Sequence, residues 1–341
     1  MSDCNHLRVF NEFSKSSVFD TVVLTGCVPK LLPHLNNSLL RRLLKVVELI
    51  ICHIGIGRKI KENKKKEIVI VHGFSTEFLF FLYIFSHFKT TGVYFLTHHN
   101  IQQAFQNRLI KFLFKMYCRI GYKFILNETC LALKEFGFND KEVCKHISML
   151  HPVVGIDSHS SFVSEVSRRK RIGLVGKVSK GKQFSETLNL LLRFQKSLDF
   201  SLIIGTDNFS HFDGVDLGEA KLINTSHRGD YLSVLASCDV IVLGYERSKY
   251  FYRCSGVAAD AISAKTFVVC PDFPLMSNQV NYPTQVGVLY KNDSDLEVAI
   301  RHALELASNP NNALFKAHYL ERSIEKTAST LLKDVQARSC K

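Results

Sequence analysis

The chain has 341 residues, too many for one ordinary core and suited to two domains of about 150 each. Hydrophobic residues make up 46% and charged ones 22%, which excludes a disordered polymer. A formal charge of +13 calls for an anionic partner.

In chain order, Phe19 to Gly26 (FDTVVLTG) predicts a strand, and Asn37 to Cys52 an amphipathic helix. That helix lies in the basic half: Met1 to Leu150 carries 21 Lys and Arg against 11 acids, the remainder 23 against 20. Arg41 to Lys66 holds nine basic residues and two acids around an apolar band that includes Leu43, Val46 and Val47. Such a mix suits anionic lipid head groups, at about 1 kcal/mol per basic residue near the surface. A solvated helix and loop is the equal alternative. No nucleic-acid recognition module accompanies the charge, so nucleic acid is not expected as a partner.

Glu67 to His72 reads as a strand and Thr76 to Phe88 as an aromatic helix that covers a sheet, with lipid contact as its second reading. The most apolar run, Phe78 to Phe85, is too short to span a bilayer. With no leader at the start, the expectation is a cytoplasmic protein, soluble or seated on the inner face of the cell membrane. Next come the strand Gly92 to Thr97, ending in His98-His99-Asn100, and a helix from Ile101 to Ile120. The strand Lys123 to Leu126 and the helix Glu128 to Phe136 follow. This alternation implies a parallel sheet with helices on its faces.

Serine-rich residues around Gly155 to Lys170 read as a linker. A second cycle follows: strands Arg171 to Val175, Phe200 to Gly205, Asp239 to Gly244 and Thr266 to Cys270, with helices Ser185 to Ser197, Tyr231 to Ala236 and Val257 to Ser263. Leu296 to Ala307 is a helix capped by Asp293-Ser294-Asp295, and a last helix spans Asn311 to Ala337. The expected layout is a first domain 1–157, a linker 158–170, a second domain 171–310 and a C-terminal helix 311–341 that packs back on the first. Ten cysteines without CxxC or zinc spacing, Cys27, Cys238 and Cys270 among them, read as free thiols in a reducing compartment.

Parallel α/β sheets bind ligands at the C-terminal ends of their strands, so residues that follow strands carry the most weight. In the second domain "GLVGKVSKGKQF" follows the first strand, where Gly176 allows close backbone approach and Lys177, Lys180 and Lys182 supply charge. A lysine-rich surface loop is its plain alternative. Neither GxGxxG nor a Walker pattern is present. "RCSGVAADAISAKTFVV" places Ser255-Gly256 at a helix start after another strand, with amides available to a phosphate and Asp260 one turn on. Together these suggest a diphosphate held between Lys182 and the Ser255-Gly256 amides, with Asp260 accepting from ribose hydroxyls.

From Glu67 to Ala307, and most strongly from Arg171 to Val288, the sequence resembles nucleotide-sugar glycosyltransferases of the GT-B fold, in particular the family 4 type of bacterial polysaccharide assembly. Gly176, Lys177 and Lys182 match that family's Gly-basic pair and following lysine, and Asp260-Ala261 stands in its Glu-Ala place. The family's first acid is replaced by Tyr252; "YFYRCSG" resembles a version in which Arg253 serves the leaving group, with Glu246 as a displaced acid. "FLTHHN" resembles the family's strand followed by His-Asn, here His99-Asn100 with His98 beside it.

The resemblance implies an α/β fold of two Rossmann-like domains whose parallel sheets face across a cleft. It implies transfer of a hexosyl group, with retention, from a nucleotide diphosphate donor to a surface-polysaccharide or polyprenyl-linked acceptor. Lys177, Lys182, Ser255, Gly256 and Asp260 would hold the donor, and His99 and Arg253 would act in the transfer. Gly73, His98 and Asn100 would lie on the acceptor side. No metal or cofactor is expected. The rivals are a homologue that binds without turnover, and an epimerase of the same fold, for which Glu128 is the candidate base.

Overall fold

The computed structural model describes residues 38–62, 68–154, 169–179, 181–309 and 312–339. They form two compact units, one of residues 38–149 with 329–339, the other of Leu150–Ala328. The predicted strand Phe19 to Gly26, Lys64 to Lys66, Lys180 and the linker as far as residue 168 lie outside the described residues.

The first unit runs α1 (Ser38–Glu62), β1 (Val69–His72), α2 (Leu79–Phe85), β2 (Val93–Leu96), α3 (Asn100–Gln106), α4 (Arg108–Arg119), β3 (Lys123–Asn127), α5 (Leu131–Glu135), α6 (Asp140–Val143) and β4 (Ile147–Met149). Its described strands pair in parallel in the order β1-β2-β3-β4. Continuous apolar runs such as Val93–Leu96, buried at every position, suit a sheet covered on both faces. The core is aromatic, with Phe114 4.4 Å from Phe124 and Phe95 4.6 Å from Tyr122 between ring centres.

Three boundaries differ from the sequence reading, each for a local reason. Helix α1 continues ten residues past Cys52 because its second half buries His53, Ile56 and Ile60. Gly57 lets it approach α2 so closely that a Cβ there would lie 2.8 Å from the Leu82 carbonyl oxygen. The aromatic helix begins as a 3-10 turn, Thr76–Phe78, and α2 stops at Phe85, since His87 and Phe88 take positive φ values of 53° and 61°. The predicted helix Ile101 to Ile120 is two helices. Extended Asn107 ends α3 and caps α4, its Oδ1 accepting the Leu109 and Ile110 amides at 2.9 and 3.3 Å.

The second unit holds β5 (Lys170–Val175), α7 (Phe184–Leu198), β6 (Phe200–Thr206), β7 (Lys221–Asn224), α8 (Arg228–Ser237), β8 (Val240–Val242), α9 (Arg247–Tyr250), α10 (Gly256–Ser263), β9 (Phe267–Pro271), α11 (Pro274–Asn281), β10 (Gly287–Tyr290), α12 (Asp293–Ser308) and α13 (Asn312–Glu321). Its described strands are parallel in the order β10-β9-β8-β5-β6-β7. The direction of winding reverses between β5 and β8, and a doubly wound sheet opens a crevice at the carboxyl ends of such a pair. Helix α12 is capped by Asn292, whose Oδ1 accepts the Ser294 and Asp295 amides; Asp293-Ser294-Asp295 form its first turn rather than its cap.

The single predicted C-terminal helix is also two. After α13 the chain turns at Arg322-Ser323 and enters α14 (Ile324–Ser339). The turn is fixed by the Arg322 side chain, fully buried, which donates to the Tyr282 and Asn278 carbonyls at 2.9 and 2.8 Å. Residues 329–339 belong to the first unit: the Tyr94 hydroxyl donates to the Val335 carbonyl at 3.3 Å, and Lys123 Nζ to that of Arg338 at 3.1 Å.

Candidate functional site

The second unit's candidate site lies where β5 and β8 end. Gly176 follows β5 with φ +133°, a conformation L side chains rarely adopt. A Cβ there would meet Lys182 Nζ at 3.2 Å and Val257 Cγ2 at 3.4 Å. The Lys182 amine and the first turn of α10 therefore both lie beside the end of β5. Its main chain is held by a bridge to Tyr245 on the exit of β8, and Nζ lies 6.0 Å from the Tyr245 ring centre. Tyr245 stacks on Tyr250 at 4.1 Å, and the Arg253 guanidinium lies 4.4 Å from the Tyr250 ring centre.

Burial pushes the Lys182 amine down to about 8, helped by the charges of Arg253 and Lys177 and opposed by Asp207. Among the described residues its ammonium has no hydrogen-bond or ion-pair partner, and Arg253 Nε is buried without one. Lys177 is exposed beside them. Desolvated cations without a counter-charge are costly unless an anion completes them.

Ser255 caps α10. Its Oγ accepts the Ala258 amide at 3.1 Å and shares a hydrogen bond with the Tyr245 hydroxyl at 2.9 Å. The sequence reading offered the Ser255 amide to a phosphate. The structure commits it elsewhere: it donates to Gln279 Oε1 at 3.0 Å, while Gln279 Nε2 donates back to the Ser255 carbonyl at 2.8 Å. The free donors are one step on, at Gly256 and Val257, which open the helix and have no intrahelical acceptor. Helix polarity adds partial positive charge there.

Asp260 also differs from expectation. Both its oxygens receive the Arg228 guanidinium, at 2.8 and 3.0 Å, and the Tyr231 hydroxyl donates to Oδ2 at 3.2 Å. The carboxylate is thus part of an internal ion pair and is only 6% exposed. Tyr252, in the place of the family's first acid, is a core residue at 1% exposure. Glu246 stands just before α9 and accepts from the Ser248 hydroxyl.

In the first unit the residues that follow strands form a second group. His72 ends β1 and Gly73 follows with φ +73° and open space where a side chain would stand. The His72 and His98 rings meet edge to face at 4.8 Å. Burial pushes the His72 imidazole down to about 4, so it is neutral at physiological pH. His99 is exposed at the start of α3. Asn100 is buried instead: Nδ2 donates to the Phe74 carbonyl at 3.2 Å and to Thr76 Oγ1 at 3.1 Å, and Oδ1 accepts the His98 amide at 3.3 Å. It braces the two loops that carry the histidines. Glu128 follows β3 with φ +64° and is 6% exposed.

The structure therefore gathers Gly176, Lys182, Arg253 and the head of α10 in one unit, with Lys177 beside them, and Gly73, His98 and His99 near one another in the other. Arg228, Gln279 and Tyr245 escape a reading by motif. Tyr245 alone carries a signal, since it follows the strand Asp239 to Gly244; Gln279 lies in a helix with no pattern of its own.

No family model and no curated protein matches the sequence. Solved structures match its fold. A UDP-forming α,α-trehalose-phosphate synthase from Burkholderia xenovorans aligns with TM-score 0.62 at 14% identity, over 97% of this chain and 85% of that one. An E. coli trehalose-6-phosphate structure bound with UDP-2-fluoro glucose aligns with TM-score 0.59 at 12% identity, over 98% and 86%. The lipopolysaccharide outer core galactosyltransferase WaaB gives 0.61 at 11% identity, over 86% and 82%. The fold of this chain, two α/β units each built on a parallel sheet, is that of GT-B glycosyltransferase structures.

Proposed function

We propose that the chain is a glycosyltransferase of the family 4 type that moves a hexosyl group from a nucleotide diphosphate donor to a surface-polysaccharide or lipid-linked acceptor, with retention. The observation that carries this reading is the pair of partly buried cations, Lys182 and Arg253, which among the described residues have no ion-pair partner, beside the amides of Gly256 and Val257 at the switch point. In the reaction the anomeric C–O bond breaks toward the diphosphate, which keeps the electron pair, and a new bond forms to an acceptor hydroxyl, whose proton passes to the departing phosphate. Lys182, Arg253 and the amides neutralise the charge that develops on the departing phosphate, the largest contribution such a site makes. These groups supply that charge without a divalent ion. His99, exposed at the start of α3, is assigned to the reacting sugar or hydroxyl, with Gly73 and His98 on the acceptor side.

A lipid-linked acceptor places the enzyme at an anionic membrane surface. Supporting this, α1, α4 and the turn after α2 expose Ile51, Leu109, Phe112 and Phe88, each above 60%, among Lys45, Arg58, Lys59 and Arg108. Among the described residues no helix is long and apolar enough to cross a membrane. Co-sedimentation with phosphatidylglycerol vesicles, but not phosphatidylcholine ones, is the expected result.

A second reading, binding without turnover, is favoured by the burial of Tyr252 and by the internal pairing of Asp260. Calorimetric titration with UDP, ADP and GDP and their sugar conjugates tests both readings, followed by an assay of nucleotide release with lipid-linked acceptors. Selective binding lost in Lys182→Ala supports the donor site. Binding without release under any acceptor moves the conclusion to the second reading, and no binding of any nucleotide sinks both.

A further inference from the structure

Gln279 is fully buried, lies in α11, and is far in sequence from every motif that marks the site. Its amide grips both main-chain groups of one residue, Ser255, accepting from the N–H at 3.0 Å and donating to the carbonyl at 2.8 Å. Two hydrogen bonds in opposite senses fix the plane and direction of the peptides on either side. A side-chain amide satisfies both in one orientation alone.

The grip determines which amides the site offers. With the Ser255 N–H committed to Gln279 and the Ala258 N–H to Ser255 Oγ, the donors left at the head of α10 are those of Gly256 and Val257. Those two are near Lys182, because the Lys182 amine and the Val257 side chain both lie against Gly176. Gln279 is itself anchored from behind, its carbonyl 3.0 Å from Nε2 of His318, a second fully buried side chain. The arrangement is more than a helix cap needs, because Ser255 Oγ already supplies the cap.

We propose that Gln279 is a positioning residue for the anion site: it touches no ligand, but aims the Gly256 and Val257 amides at the diphosphate beside Lys182. This rests on the donor-site reading above. Gln279→Glu tests it, because the substituted carboxyl reproduces both hydrogen bonds only when protonated. Once ionised it has no proton to donate to the Ser255 carbonyl and places negative charge beneath the phosphates.

Binding of UDP and of inorganic pyrophosphate is measured by calorimetry from pH 6 to 8, well below the melting temperature, for wild type and variant. The expected result is a variant close to wild type at the acid end that weakens relative to it by about tenfold or more as pH rises. A variant-to-wild-type ratio that stays flat with pH while the introduced carboxyl ionises, as read from the pH dependence of the variant's melting temperature over the same range, overturns the proposal. Gln279→Met, isosteric and without hydrogen bonds, is expected to stay folded by circular dichroism and to lose about tenfold or more in affinity at all pH values. A folded Gln279→Met that binds UDP as wild type does also overturns it. A wild-type protein that binds neither probe refutes the donor site itself, and this assignment with it.

Discussion

Lys182→Met separates the electrostatic cost of the site from its use. In the folded protein the Lys182 amine titrates near 8, against an ordinary value of 10.5. Because the folded value is the lower one, the charged amine is disfavoured by folding. That cost is present in full below pH 8 and fades as pH rises from 8 to 10.5. That difference corresponds to about 3 kcal/mol before solvent screening, and partial exposure of the side chain reduces it to about 1–2 kcal/mol. Methionine keeps the unbranched stem and removes the charge.

The unliganded variant is therefore expected to melt about 2–8 °C higher than wild type at pH 7, with the difference shrinking by pH 10. The order reverses in saturating UDP, which stabilises wild type alone. Differential scanning calorimetry of both proteins, with and without UDP, at pH 7 and 10 reads all of this. A variant less stable than wild type at pH 7 that still binds UDP normally would refute the reasoning, for Lys182 would then be a packing residue.

Three further outcomes follow from the same geometry. UDP affinity of the wild-type protein should fall about tenfold between pH 7 and 9 as the Lys182 amine loses its proton, and Lys182→Arg should abolish the fall in calorimetric titrations. Asp260→Ala strands the Arg228 guanidinium and should cost about 2 kcal/mol in urea unfolding, whereas the double change with Arg228→Ala should cost less than the two single losses together. His99→Ala, at an exposed position, should leave UDP binding and melting temperature unchanged while nucleotide release with acceptor drops by about a hundredfold; an unchanged rate removes His99 from the mechanism.

The parallel sheets were legible because fully buried strands are written as unbroken apolar runs, as in Val93–Leu96 and Phe267–Pro271. Strand β7 was not: it lies at the sheet edge and pairs with β6 alone, so KLIN carries little apolar signal. Helix breaks at Asn107 and at Arg322-Ser323 were hidden because one polar residue within a helical pattern does not reveal whether its side chain caps the backbone or points to water. In the site, the glycine and lysine after β5 stood out by type and spacing. The commitments of Ser255 and Asp260 did not, since their partners Gln279 and Arg228 are brought to them only by the packing of α11 and α8 against α10.

The stack in which Lys182 meets Tyr245, Tyr245 meets Tyr250, and Tyr250 meets Arg253 bears on how the catalytic cycle would end. Two stacked rings hold both cations in place before any ligand arrives, so little reorganisation opposes an arriving donor. The same charge faces the spent nucleotide after the sugar has gone. On the proposed reading the enzyme would be inhibited by its own product, with turnover paced by departure of the nucleoside diphosphate rather than by the transfer.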